Sequence, residues 1–304
     1  MHIILHIGLP KTGTTFLQQQ LSYHRGILAA DGIYIPRAAT LGWVRSTTSR
    51  LDCEEINHLM LAWALLPERW PQFPDEIRRL LPVAWDCLAE ELANCDSPCC
   101  LITAENLSWT LAREEQLREI RDRLAGHDVT VVCCVREAHE FIASMYGHLL
   151  SVDRGPYSID EFVAEFYPRW ERGFQESAWS AVFGAGCFRS IAYKSIAGPS
   201  ILQRFLAAAV PGHPASLRTY SLMPETDPHR SFSPRFQRFL EELHANRIDA
   251  EPFKKLYRSL PDTYAHLEKR LLTQDDISAA LTRHAASQNP ARRECVETQP
   301  PAAT

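Results

Sequence analysis

The sequence predicts an α/β fold: a central, mainly parallel sheet of the phosphate-binding-loop (P-loop) type, flanked by helices and carrying a helical insertion. The run Ile3-Ile4-Leu5, with Ile7, passes straight into Gly8-Leu9-Pro10-Lys11-Thr12-Gly13-Thr14-Thr15 and then into a stripe of Phe16, Leu17 and Leu21. Strand, glycine loop and helix therefore follow one another without a spacer. Two later runs, Cys99 to Thr103 and Val129 to Val135, are almost continuously apolar and rich in β-formers, as strands buried on both faces must be. Helix-like segments separate these runs, and that alternation gives a parallel sheet.

The first loop is built for an anion. A helix start leaves backbone N–H groups unpaired and carries partial positive charge, so a glycine-bounded loop feeding it offers donors to a phosphate or sulfate. Gly8 and Gly13 allow close backbone approach, and Pro10 stiffens the turn before Lys11. The spacing fits G-x-x-x-x-G-K-[ST] in its glycines and final hydroxyl, but Thr14 stands where that pattern has lysine, and the lysine sits at Lys11.

The first helix is expected to reach about Ala30, with Asp31-Gly32 turning into a short extended piece, Ile33 to Ile35, stopped by Pro36. Leu51 to Leu66 and Asp75 to Asn94 read as the helical insertion, interrupted by the proline-rich stretch Pro67 to Pro74. An acceptor pocket has room to form there. The second strong strand runs from Cys99 to Thr103 and is followed by Ala104-Glu105-Asn106. An amphipathic helix spans Arg113 to Leu124 and ends at Gly126. The third strand, to Val135, delivers Arg136, and a helix from Ala138 to Leu150 carries Ser144 and His148. A strand from Cys187 to Tyr193 and helices Ile201 to Ala209 and Ser233 to Ala245 follow. Residues 1–286 are expected to form one α/β domain, and 287–304, rich in Pro, Ala and polar residues, a disordered tail.

With 304 residues and a net charge of -5, the chain makes no electrostatic case for nucleic-acid or membrane-surface partners. No apolar run is long enough to span a bilayer. The first strand begins almost at Met1, leaving no room for a signal peptide, so a cytoplasmic protein is expected. Nine cysteines are an odd number, and the adjacent pairs Cys99-Cys100 and Cys133-Cys134 lie in strands whose successive side chains face opposite ways. They read as reduced core residues. Cys95, Cys99 and Cys100 lack a second ligand pair at zinc spacing, and no metal site is expected.

The segment Pro10-Lys11-Thr12-Gly13-Thr14-Thr15, with Gln18 after Phe16-Leu17, closely resembles the 5′-phosphosulfate loop of sulfotransferases that use 3′-phosphoadenosine-5′-phosphosulfate (PAPS), in particular their bacterial members. The resemblance extends over roughly residues 1 to 245. It includes Arg136 at a strand end with Ser144 eight positions on, Ser158 to Phe162, and Trp179 to Gly184. It implies that PAPS is the co-substrate, with no metal. Lys11 would act on the leaving oxygen, while Lys11, Thr12, Gly13, Thr14 and Thr15 hold the 5′-phosphate end. Arg136 and Ser144 would bind the 3′-phosphate, and Tyr193 would sit beside adenine. The late basic, glycine-rich segment of the family's cytosolic members has no counterpart beyond Arg230-Ser231.

The acceptor, a small molecule or a carbohydrate, needs a base. Glu105, just past a buried strand, is the first candidate and His148 the second. Two other classes remain open. One is a P-loop small-molecule kinase, which the displaced lysine and Arg136 in place of a metal-binding aspartate disfavour. The other is a nucleotide-binding regulatory protein without turnover.

Overall fold

In a computed structural model, residues 1–40, 56–110, 114–151, 159–173, 176–221 and 274–287 are described. Five strands, β1 (His2–His6), β2 (Ile33–Tyr34), β3 (Cys99–Thr103), β4 (Asp128–Val135) and β5 (Phe188–Ala192), form one sheet in the order β2-β3-β1-β4-β5. Every pairing is parallel. The expected architecture, a parallel sheet flanked by helices with a helical insertion, is the one observed. β1 lies at its centre, with His6 level with Thr103 of β3 and Val132 of β4. The chain leaves β1 toward β2 on one side and reaches β4 on the other. The carboxyl end of β1 is therefore the place where the winding reverses, which is where open α/β sheets bind ligands.

Burial follows the pleat. Ile4, Leu101, Val132 and Cys134 share a cluster with Leu17 and Leu21 of the helix Thr14–Tyr23 and with Phe205 and Leu206 of the helix Ile201–Ala209. Their sequence neighbours Ile3, Leu5, Cys100 and Cys133 are equally buried and face the other way. The adjacent cysteines thus serve both faces as free thiols, and burial pushes that of Cys99 up to about 11 and that of Cys133 up to about 12.

Some boundaries differ from expectation. The first helix ends at Tyr23 and a second, Arg25–Ala30, follows, because His24 leaves helical geometry (φ -96°, ψ 11°). Its imidazole Nε2 reaches Ser221 O at 3.0 Å, and its ring lies edge-on to Tyr220. In the insertion, the helix expected from Asp75 to Asn94 is two helices, Asp75–Leu80 and Ala84–Ala93, joined by a 3-10 turn at Leu81–Val83. Pro82 has no N–H to give the ladder and its ring clashes with the preceding turn. The first insertion helix is Leu59–Ala64, and residues 51–55 lie outside the described part. β5 stops at Ala192, and Tyr193 opens a one-turn helix, Tyr193–Ile196.

The chain divides into two compact units, one of residues 1–136 and 171–225, the other of 137–170 and 226–304. The sheet belongs to the first. In the second, helix Ala138–Ser151 packs against a helix that the sequence did not signal, Gln274–Ser287. There Arg283 Nε donates to Asp160 at 2.9 Å, and the Tyr167 ring meets His284 edge-on. The expected helix Ser233 to Ala245, the segments Ser158 and Arg230-Ser231, and the tail beyond Ser287 lie outside the described residues. No helix among the described residues is long and apolar enough to cross a membrane.

Candidate active site

The loop after β1 extends the sheet before it turns. Ile7 N–H donates to Val132 O at 2.9 Å and Leu9 N–H to Cys134 O at 3.1 Å, so both stay paired with β4 past the end of the strand. Thr12 Oγ1 then closes the turn onto Leu9 O at 2.6 Å. Lys11 and Gly13 both take left-handed backbone conformations, φ 66° and φ 72°. For lysine that geometry costs about 1–2 kcal/mol, the kind of strain concentrated at functional sites. The helix Thr14–Tyr23 starts from Gly13 and has no side-chain cap, so its first N–H groups lack the usual protein acceptor. Gly13 is also required sterically: a Cβ there would lie 2.8 Å from Tyr193 Cε2.

Strands β3, β4 and β5 each deliver one functional side chain just past their carboxyl ends. From β3 comes Glu105, in the turn that starts helix Asn106–Thr110. Its carboxylate accepts a hydrogen bond from the Thr14 hydroxyl and feels the Lys11 ammonium, yet burial dominates and raises its pKa. Lys11 shows the reciprocal pattern. Burial lowers its pKa, Glu105 acts to raise it, and Arg136 lowers it further. From β4 comes Arg136, whose Nη1 donates to Lys11 O at 2.9 Å. From β5 comes Tyr193, with the Arg136 guanidinium 5.3 Å from its ring centroid.

Two cations and one carboxylate thus share the mouth of an uncapped helix, a charge balance that suits an anionic ligand. The carbonyl bond from Arg136 also helps hold Lys11 in its strained conformation.

The loop hydroxyls differ in availability. Thr12 and Thr14 are buried, and their hydroxyls lie 3.3 Å apart, committed to Leu9 O and to Glu105. Thr15 is exposed. Thr14 therefore offers its N–H to a ligand while its hydroxyl serves the carboxylate. Ser144, half-buried, and His148, exposed, stand one turn apart on helix Ala138–Ser151 in the second unit. Among the described residues no group of His, Cys, Asp and Glu is arranged to hold a metal ion.

Sequence reasoning missed the side chains that brace the site from below. Ser108 Oγ lies 3.2 Å from Gly8 O and 2.9 Å from Glu105 O, linking loop to turn. His6, Gln18 and Thr103 are buried polar groups beneath the loop. A histidine inside an apolar strand was the one available signal.

No family model and no curated protein matches the chain. Among solved structures it is similar to a sulfotransferase from Alicyclobacillus acidocaldarius, at 16% identity over 86% of this chain and 97% of that one, with a TM-score of 0.44. It is also similar to the sulfotransferase domain of the Synechococcus PCC 7002 olefin synthase, at 16% identity over 93% and 94% of the two chains, TM-score 0.43. A third similar structure is the sulfotransferase domain from the curacin biosynthetic pathway, at 13% identity over 73% and 77%, TM-score 0.42. These are likenesses of backbone course; the functional reading rests on the residues gathered at the carboxyl edge of the sheet.

Proposed function

We propose that this chain is a PAPS-dependent sulfotransferase that moves a sulfuryl group to a hydroxyl or amine of a small-molecule or carbohydrate acceptor. The observation that carries the reading is Lys11, held left-handed at the mouth of an uncapped helix between Arg136 and Glu105. PAPS, when bound, supplies an activated sulfuryl group on a 5′-phosphate together with a 3′-phosphate. The residues present fit a nucleotide with an anionic group at each end, since Lys11 of the loop and Arg136 from the end of β4 put two cations beside helix N–H groups that no described side chain caps.

In this reading the N–H groups of Thr12 to Thr15 bind the 5′-phosphate, and Arg136 takes the 3′-phosphate through a charge-assisted hydrogen bond. Tyr193 lies beside the base. The Lys11 ammonium stabilises negative charge developing on the departing oxygen, the electrostatic contribution that fixed donors make best in a partly dry site. Glu105 accepts the acceptor's proton: burial raises its pKa and so its basicity, while the Thr14 hydroxyl and Lys11 act in the opposite sense. His148 is the second candidate for that task. A cytoplasmic setting, where the thiols stay reduced, fits this reading.

One observation favours the kinase alternative. Glu105 lies two residues past the end of β3, the strand next to β1, and contacts the loop hydroxyl of Thr14, a disposition in which a carboxylate can serve a nucleotide-bound metal. A single experiment separates the two: incubation with sulfate-labelled PAPS or with ATP and magnesium, over an acceptor library, read by mass spectrometry with and without chelator. Sulfated product that survives chelator supports the proposal. Phosphorylated product with strict magnesium dependence overturns it.

A further inference from the structure

Beneath the loop lies a polar node that none of the chemistry above uses. Thr103, the last residue of β3, is fully buried. Its Oγ1 lies 3.0 Å from His6 Nδ1 and accepts from Gln18 Nε2 at 3.1 Å. Its N–H donates to His58 Nδ1 at 3.2 Å, and its carbonyl accepts from His58 N–H at 2.8 Å. The node thus joins β1, the helix Thr14–Tyr23, β3 and the start of the insertion. Both imidazoles are wholly buried, and desolvation brings each down to about 4, so they are neutral at physiological pH. Buried polar groups cost stability unless satisfied, and an apolar core of equal volume would avoid that cost.

The node touches the site at two points. His6 stands two residues before Gly8, and its Nε2, buried without a hydrogen-bond partner among the described residues, abuts that glycine: a Cβ at position 8 would lie 2.7 Å from it. Gly8 is thus demanded by a ring. Thr103 stands two residues before Glu105, and Ala104 N–H between them donates to His6 O at 2.8 Å. Ser108 Oγ then links Gly8 O and Glu105 O.

We infer that Thr103 is a positioning residue, the hub that holds the phosphate loop, through His6 and Gly8, and Glu105, through Ala104, in one register, and so sets the separation of Lys11 from Glu105. The inference rests on the sulfotransferase reading for its catalytic consequence. It does not depend on that reading for its structural content.

Thr103→Val keeps the β-branched shape and deletes the hydroxyl, and Thr103→Ser restores the hydroxyl. Gln18→Met removes another spoke of the node at similar volume, should the valine variant fold poorly. The first readout is nuclear magnetic resonance of the full chain with 15N-labelled histidine and glycine. Thr103→Val should move the His6 ring nitrogens and the Gly8 amide, and Thr103→Ser should leave both near their wild-type positions. The second is calorimetric binding of adenosine 3′,5′-bisphosphate together with turnover, measured as release of that nucleotide from PAPS.

Stoichiometry should stay at the wild-type value and affinity should change by about threefold or less, well under the tenfold that 1.4 kcal/mol represents. Turnover should fall by about 10- to 100-fold, the scale of a misplacement near 1 Å, and the serine variant should recover it. A merely structural role would lower stoichiometry and turnover together. Unchanged turnover in a folded Thr103→Val or Gln18→Met protein, or unmoved His6 and Gly8 signals, would overturn the inference. A wild-type protein that neither binds the bisphosphate nor turns over PAPS sinks the sulfotransferase reading instead, and the resonance shifts then decide the node alone.

Discussion

Replacing Lys11 by glycine should separate activity from stability. The lysine holds φ 66°, which costs an L-residue about 1–2 kcal/mol that glycine does not incur. Against this, glycine gains unfolded-state freedom of about 0.4–1 kcal/mol, leaving a net backbone gain of about 0–1.6 kcal/mol. The ammonium adds to the difference, because burial and Arg136 lower its folded pKa more than Glu105 raises it. A lysine with a depressed folded pKa penalises the fold while charged. In the window between its folded and unfolded pKa values the unfolded chain binds more protons, so wild-type stability rises with pH there. The advantage of Lys11→Gly should therefore be present at neutral pH and shrink as the pH approaches 10.5.

Lys11→Ala keeps the backbone strain and should gain only the pH-dependent part that comes from removing the ammonium. Both variants should lose about 10²–10³ in turnover, the usual contribution of one electrostatic donor. Denaturant unfolding of the three proteins at neutral and alkaline pH, alongside nucleotide release, measures all of this. A glycine variant less stable than the alanine variant would refute the left-handed backbone strain at position 11. Turnover retained in either variant would remove Lys11 from the mechanism.

Arg136→Ala should cut affinity for adenosine 3′,5′-bisphosphate about 10- to 100-fold, from a charge-assisted bond of about 1.5–3 kcal/mol. Because Arg136 also holds Lys11 O, ADP affinity should fall as well, though less, and calorimetry with both nucleotides finds no 3′-phosphate site if wild type binds them equally. Glu105→Gln should lower turnover at preserved donor affinity and flatten the acid limb of the pH–rate profile, which in wild type should lie above the ordinary carboxylate range. The same raised pKa stabilises the fold below the unfolded value and loses that contribution as the pH rises through the folded one, so urea midpoints of wild type and Glu105→Gln should converge in acid; parallel midpoints would refute the burial effect. Gly13→Ala places a Cβ at φ 72° and 2.8 Å from Tyr193, and should cost about 1–3 kcal/mol in thermal unfolding, with Gly126→Ala, whose Cβ meets nothing within 4 Å, as the strain-only control.

The local parts of this protein were legible in the chain. Ile3 to Ile7 followed by Gly8 to Thr15 determined strand, loop and helix, since buried strands, glycine turns and helix starts have short-range signatures. The apolar runs of β3 and β4 determined a parallel sheet, and thereby that Glu105 and Arg136 stand at carboxyl ends. Breaks set by distant contacts were not legible: His24 leaves the helix toward Ser221, nearly two hundred positions away. Nor did the chain give the strand order β2-β3-β1-β4-β5, which alone brings Lys11, Glu105, Arg136 and Tyr193 to one edge. The left-handed backbone at Lys11, the commitment of the Thr14 hydroxyl to Glu105, and the node of Thr103 with His6, Gln18 and His58 belong to the same class. Periodicity and spacing report what a residue does with neighbours within a turn or a pleat, whereas these features are contacts between residues separated by 45 to 125 positions, which only the assembled sheet brings together.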